Sequence, residues 1–103
     1  MYVKISKNFQ LNKLSKIEKK LARKRIVELK ACNNLGEMKY GRLHPLRKRY
    51  SGAYGIRIGR MSRLLIFPIL FAPDYMNTGT IKRKDFVIGI EVCYSPNHYR
   101  SIY

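Results

Sequence analysis

Tyr54-Gly55-Ile56-Arg57-Ile58-Gly59-Arg60-Met61-Ser62-Arg63-Leu64-Leu65-Ile66-Phe67 reads as two strands joined by a tight turn at Gly59. Ile56 and Ile58 alternate with Arg57, so one face of the first strand is apolar and the other cationic. Arg57, Arg60 and Arg63 fall within seven residues. Guanidinium groups carried on a sheet, rather than on a loose tail, hold phosphates at defined angles. The apolar face of such a hairpin needs a covering layer, and the chain before it supplies one.

Working outward, Tyr2 to Ile5 is a short strand candidate, and Asn8 to Leu14 has the pattern of two helical turns with Phe9 and Leu14 facing inward. Ser15-Lys16-Ile17-Glu18 matches a capping box, in which the serine caps a helix start and the glutamate reaches back. The second helix is expected from Lys16 to about Cys32, with Ile17, Leu21, Ala22, Ile26 and Leu29 as its apolar stripe. Lys16, Lys19, Lys20, Arg23 and Lys24 fill its other side, and Asn33, Asn34 and Gly36 close it. Leu35 to Ser51 reads as a polar, basic connection containing His44-Pro45. Further strands are expected over Ala53 to Ile58, Arg63 to Leu70 and Phe86 to Tyr94, with Phe71 to Lys84 a long loop. Pro68 cannot donate to a ladder and predicts a strand end or a bulge. The sum is one monomeric α+β domain over residues 1–103, with two N-terminal helices packed on a twisted antiparallel sheet of about four strands.

Composition narrows the partners. Twenty-two Lys and Arg against six Asp and Glu leave a net charge of +16. Such a surplus repels itself in the folded state and points to a polyanion, nucleic acid first, or to an acidic protein. A solvated lysine-rich face accounts for the helix lysines but not for arginines at alternating strand positions. The acids do not cluster, and neither a Gly-rich phosphate loop nor a Ser/His/Asp set is visible. Cys32, Cys93, His44 and His98 lack zinc-ligand spacing, so no metal and no other cofactor is expected. Lys4 and Lys7 interrupt the N-terminus before any apolar run, and Leu64 to Ala72 is too short to span a bilayer. The expected setting is cytoplasmic, with reduced thiols and no membrane partner.

Cleaving RNA without metal takes a base for the 2′-OH proton, cations for the charge growing on phosphorus, and an acid for the leaving oxygen. Lys48, Arg49, Arg57, Arg60, Arg63 and Arg100 are candidates for the cations. His98, Tyr99 and Tyr103 are candidates for the proton transfers, and the aromatics also suit stacking on unpaired bases.

Several segments together resemble the RelE/ParE toxin superfamily. Ser6-Lys7-Asn8-Phe9, Lys13-Leu14-Ser15-Lys16 and Lys24-Arg25-Ile26-Val27-Glu28-Leu29-Lys30 are similar to its helical hairpin. Leu43-His44-Pro45-Leu46-Arg47 followed by Tyr54 to Arg60 is similar to its loop and second strand, and His98 to Tyr103 to its terminal His-x-x-x-x-Tyr. The resemblance covers nearly the whole chain in order. Met61-Ser62 lengthens the turn before Arg63 by one residue, and the loop from Phe71 to Lys84 is longer than usual. The resemblance implies the toxin of a toxin–antitoxin pair, cutting mRNA in the ribosomal A site by 2′-OH attack. Arg57, Arg63 and Lys48 would then stabilise the phosphorane, with His98 or Tyr103 as acid or base. Arg49, Arg60, Tyr99, Arg100 and the cations Lys16, Lys19, Lys20, Arg23 and Lys24 would contact RNA. The implied partners are mRNA, the ribosome and an acidic antitoxin protein. A gyrase poison of the ParE type, or a basic nucleic-acid-binding module without chemistry, remains the alternative on these residues.

Overall fold

In the computed structural model, which describes residues 1–7, 13–73 and 83–95, the alternation read in the hairpin becomes the centre of one sheet. Its strands are β1 (Tyr2–Ile5), β2 (His44–Pro45), β3 (Tyr54–Arg57), β4 (Arg63–Phe71) and β5 (Val87–Ser95), in spatial order β1-β5-β4-β3-β2. From β2 to β5 the neighbours are antiparallel, whereas β1 runs parallel to β5. One helix, α1 (Lys16–Ala31), covers a face of this sheet.

Register explains which face. Tyr54 pairs with Ile66, Ile56 with Leu64, Leu64 with Tyr94, and Ile66 with Val92. Directly opposed residues share a face, so these six side chains form one apolar surface. Ala22 and Leu29 of α1 join them in a single buried cluster with Leu14, Leu35 and Ile90. Full burial of a side chain such as Leu29 contributes about 1.5–3 kcal/mol. The capping box that starts the helix is formed, with Glu18 N–H donating to the Ser15 hydroxyl and Ser15 N–H donating to Glu18.

The expected fold needs correcting in two respects. First, two N-terminal helices on a four-stranded antiparallel sheet are not what the chain builds: it carries one α-helix among the described residues, on a five-stranded mixed sheet. Residues 8–12, most of the segment expected to be the first helix, lie outside the described residues. The fifth strand comes from the connection: His44 and Pro45 pair with Gly55 and Tyr54 at the sheet edge, where proline is tolerated. Parallel pairing of β1 was not legible because alternation marks a strand without naming its neighbour. Second, Ile17 is 80% exposed instead of leading the buried stripe. Turning 100° per residue sets Ile17 roughly 120° away from Leu29, whereas Glu18 falls on the sheet-facing line. At Pro68 the β4–β5 register does shift. No helix among the described residues is long and apolar enough to cross a membrane.

Candidate nucleic-acid interface

The second face of the sheet carries the alternate residues, and the hairpin arginines are among them. Arg57 and Arg63 pair directly across β3 and β4, so the two-residue period puts both on the side opposite α1. Like charges directly opposed on a sheet are destabilising. Here backbone carbonyls soften the repulsion. The Gly59 carbonyl accepts from Arg57 Nε at 3.2 Å and from Arg63 Nη1 at 3.0 Å. Arg63 Nη1 also donates to the Ser62 carbonyl at 2.9 Å and to the Arg60 carbonyl at 3.3 Å. Among the described residues neither guanidinium meets a carboxylate at ion-pair distance; the pair Arg25–Glu28 at 2.6 Å lies on α1, across the sheet. Two guanidiniums gathered around one turn, oriented by neutral dipoles, form a site ready for an anion. The turn from Ile58 to Ser62 therefore keeps Arg63 on the same face as Arg57.

The turn itself is braced from the helix side. Glu18 accepts a hydrogen bond from the buried Ser62 hydroxyl, which together with the Ser15 backbone holds its carboxyl below the ordinary value of 4.5. A β-carbon on Gly59 would sit 2.3 Å from Glu18 Oε2, so any larger residue there would push the Glu18 carboxylate out of its place beneath the turn. Burial raises the Tyr94 phenol, with the Ser62 hydrogen bond acting against it. The centre of the arginine face holds the fully buried Leu65 and Ser95, with the Cys93 thiol between them pushed up to about 11 by burial and by Glu91. A thiol that far above neutrality is a packing group and not a nucleophile.

A second basic group reaches this face from the loop before β3. Lys48, Arg49 and Tyr50 make a single 3-10 turn. The Tyr50 ring meets Phe67 of β4 edge-to-face, with centroids 6.3 Å apart and planes at 61°. Phe67 lies four residues along β4 from Arg63 and therefore on the same side of the sheet. Lys48 and Arg49 are exposed, and Lys48 has φ 56°, a left-handed conformation rare for a side-chain-bearing residue. His44 belongs here too, because it pairs with Gly55 on the arginine side. Its Nδ1 is 2.8 Å from the carbonyl of Arg42, itself left-handed at φ 54°. Nδ1 as the donor in that contact leaves Nε2 as the basic nitrogen.

The structure thus brings Arg57, Arg63 and Arg49 to one side, with Arg60 exposed in the turn between the strands and Lys48 exposed in the 3-10 turn that carries Arg49. It does not bring the helix cations to them. Lys16, Lys20, Arg23 and Lys24 are exposed and Lys19 is half-buried, all on α1 and so across the sheet from Arg57. His98, Tyr99, Arg100 and Tyr103 lie outside the described residues. Sequence reading overlooked His44, Tyr50, Phe67 and Arg83 as members of the arginine side. For His44 the signal was the Gly41-Arg42 turn preceding a short extended dipeptide, and for Phe67 its even spacing from Arg63 and Leu65. Nothing in the sequence joins Tyr50 or Arg83 to them. Among the described residues no three His, Cys, Asp or Glu side chains gather as a metal site would require. Comparison with family models, curated proteins and solved structures finds no match, which leaves residues and geometry to carry the function of this chain.

Proposed function

We propose that the arginine face grips the phosphates of single-stranded RNA and that the chain is a ribosome-dependent endoribonuclease, the toxin of a toxin–antitoxin pair. The observation that carries this reading is the cross-strand pair Arg57–Arg63, two guanidiniums on one rigid face converging on a single carbonyl. Opposed like charges cost a sheet stability, and an anionic ligand held between them would offset that cost. An RNA phosphate inserted there replaces the carbonyl contacts with charge-assisted, bidentate ones.

The chemistry needs no more than proton transfer and charge stabilisation. A base removes the 2′-OH proton, the oxygen attacks phosphorus, and the bond to the 5′-oxygen breaks as an acid protonates that leaving group. The products are a 2′,3′-cyclic phosphate and a 5′-hydroxyl. Arg57 and Arg63 stabilise the extra negative charge of the phosphorane, and Lys48 is the third cation that the resemblance assigns to this role. His98 and Tyr103 are the proton-transfer residues of the resemblance, and His44 is a further candidate supported by its position on the arginine side and its oriented ring. An acidic, partly disordered antitoxin suits the same surface, because opposite charge speeds encounter and neutralises the arginines.

Expression of the chain should arrest growth and leave truncated ribosome-bound mRNA in primer extension. Arg57→Ala and Arg63→Ala should each slow cleavage on the order of 100-fold, the usual cost of losing one transition-state donor. Arrest with intact mRNA would move the reading to a gyrase poison, and unaltered cleavage in both variants would remove the arginines from the chemistry.

A further inference from the structure

The arginine side has a second feature that phosphate binding leaves unused. Between the loop before β3 and the bulged part of β4 lies an open pocket of about 270 Å³, lined by Arg49, Tyr50, Gly52, Phe67, Pro68 and Arg83 among others. None of the described residues that line it is acidic. Two aromatic rings and two guanidiniums stand in its walls beside the small residues Ser51, Gly52 and Ala53 and the ring of Pro68. Arg83 is fixed in place, donating from Nη1 to the Gly52 carbonyl at 2.7 Å and lying 4.9 Å over the Phe71 ring. A planar, electron-rich group with an anion attached is the chemistry that matches such walls.

We infer that this pocket is a nucleobase subsite, receiving one base of a single-stranded RNA whose phosphate is held at Arg57 and Arg63. The inference rests on the reading of the arginine face as an RNA surface and adds where a base is read. Position along β4 supports the link. At about 3.3 Å per residue, Phe67 is roughly 13 Å from Arg63 along the same face, a separation that a short single strand bridges. Leu65, between them, carries no charge, and Glu91, which pairs opposite Phe67 on this face, would sit beside the strand and not between the two sites. The base would stack on Tyr50 or Phe67, while Arg49 and Arg83 meet its polar edge or the adjoining phosphate. Stacking of this kind tolerates any base, and the guanidiniums favour one that presents carbonyl acceptors.

The test is binding of labelled hexauridylate to the full chain by fluorescence anisotropy, beside a hexamer of the same length in which every ribose is abasic. Wild type should bind the abasic hexamer on the order of tenfold more weakly. Tyr50→Leu, which keeps apolar volume and removes the aromatic face, should bind the intact hexamer about as weakly and no longer tell the two apart. Its salt dependence should match wild type, because no phosphate contact is removed. Arg57→Ala should instead weaken both hexamers alike and reduce the log–log salt slope by about 0.7. Equal binding of the two hexamers by wild type would overturn the subsite, whatever Arg57→Ala does. An unchanged salt slope in Arg57→Ala would overturn the phosphate reading alone, and no binding even at low salt would overturn both. Because the abasic hexamer alters the ligand, the comparison stands even if Tyr50→Leu folds poorly.

Discussion

The two faces of this sheet come from the same strands and behave as different materials. On the helix side, Tyr54, Ile56, Leu64, Ile66, Val92 and Tyr94 close against Ala22 and Leu29 in one buried cluster. On the other, Arg57 and Arg63 face each other around the Gly59 carbonyl, and Tyr50 and Phe67 wall a pocket with Arg49 and Arg83. Adjacent residues along a strand thus divide stability from binding. Stability is concentrated where volume is filled, in that cluster and at the buried Leu65 and Ser95 beneath the charged face, while the guanidiniums at its rim fill none of it. Mutations on the two faces should therefore separate cleanly.

The largest effect belongs to the covered face. Leu29→Ala empties a fully buried site and should cost about 2–5 kcal/mol in a denaturant titration. The double variant Arg57→Ala, Arg63→Ala should hold its unfolding free energy within about 1 kcal/mol, or gain, because it removes a like-charge pair. If the arginine variant loses as much as Leu29→Ala, the division between the faces is broken.

Next is the loop that joins the faces. Gly41 has φ 77°, and a β-carbon there would lie 2.4 Å from Ile56 Cγ2 and 3.1 Å from Arg25 Nε. The Gly41 carbonyl accepts from Arg57 N–H at 3.0 Å, so this residue fastens the loop to the end of β3. Gly41→Ala should destabilise by about 1–3 kcal/mol. A wild-type melting temperature would mean that the loop is not fastened there.

Lys48 tests the opposite sign. Its left-handed backbone is strained for a lysine, so Lys48→Gly should gain up to about 1 kcal/mol of stability. The same change removes a cation from the turn that carries Arg49 and should weaken RNA binding. A variant that is more stable and binds less well would sharpen the distinction, whereas loss of stability would show that the lysine stem packs.

The smallest effect is the pH dependence of the brace beneath the turn. Glu18 has its carboxyl lowered by the Ser62 hydrogen bond first and the Ser15 backbone second. A lowered value means that its contribution is present above pH 4.5, the ordinary value, and is lost as pH falls through the lowered one. Glu18→Gln keeps a capping-box side chain while removing the charge. Its acid unfolding curve should therefore be slightly flatter than wild type below pH 4.5. Identical curves would mean that the charge contributes nothing.

Local chemistry alone determined much of this protein. Ser15 and Glu18 marked the helix start because a capping box satisfies donors within four residues. The hairpin was legible because a period of two sorts Ile56 from Arg57 without outside help. The charge surplus named a class of partner, since it depends on composition only. What tertiary structure decided is everything that joins distant residues. Parallel pairing of β1 with β5, the edge strand at His44–Pro45, and Ile17 turning to solvent depend on which surfaces meet. The pocket shared by Tyr50, Phe67 and Arg83 is of the same kind. Its members are separated by long stretches of chain, and alternation fixes a side chain's face but not the loop that comes to lie against it.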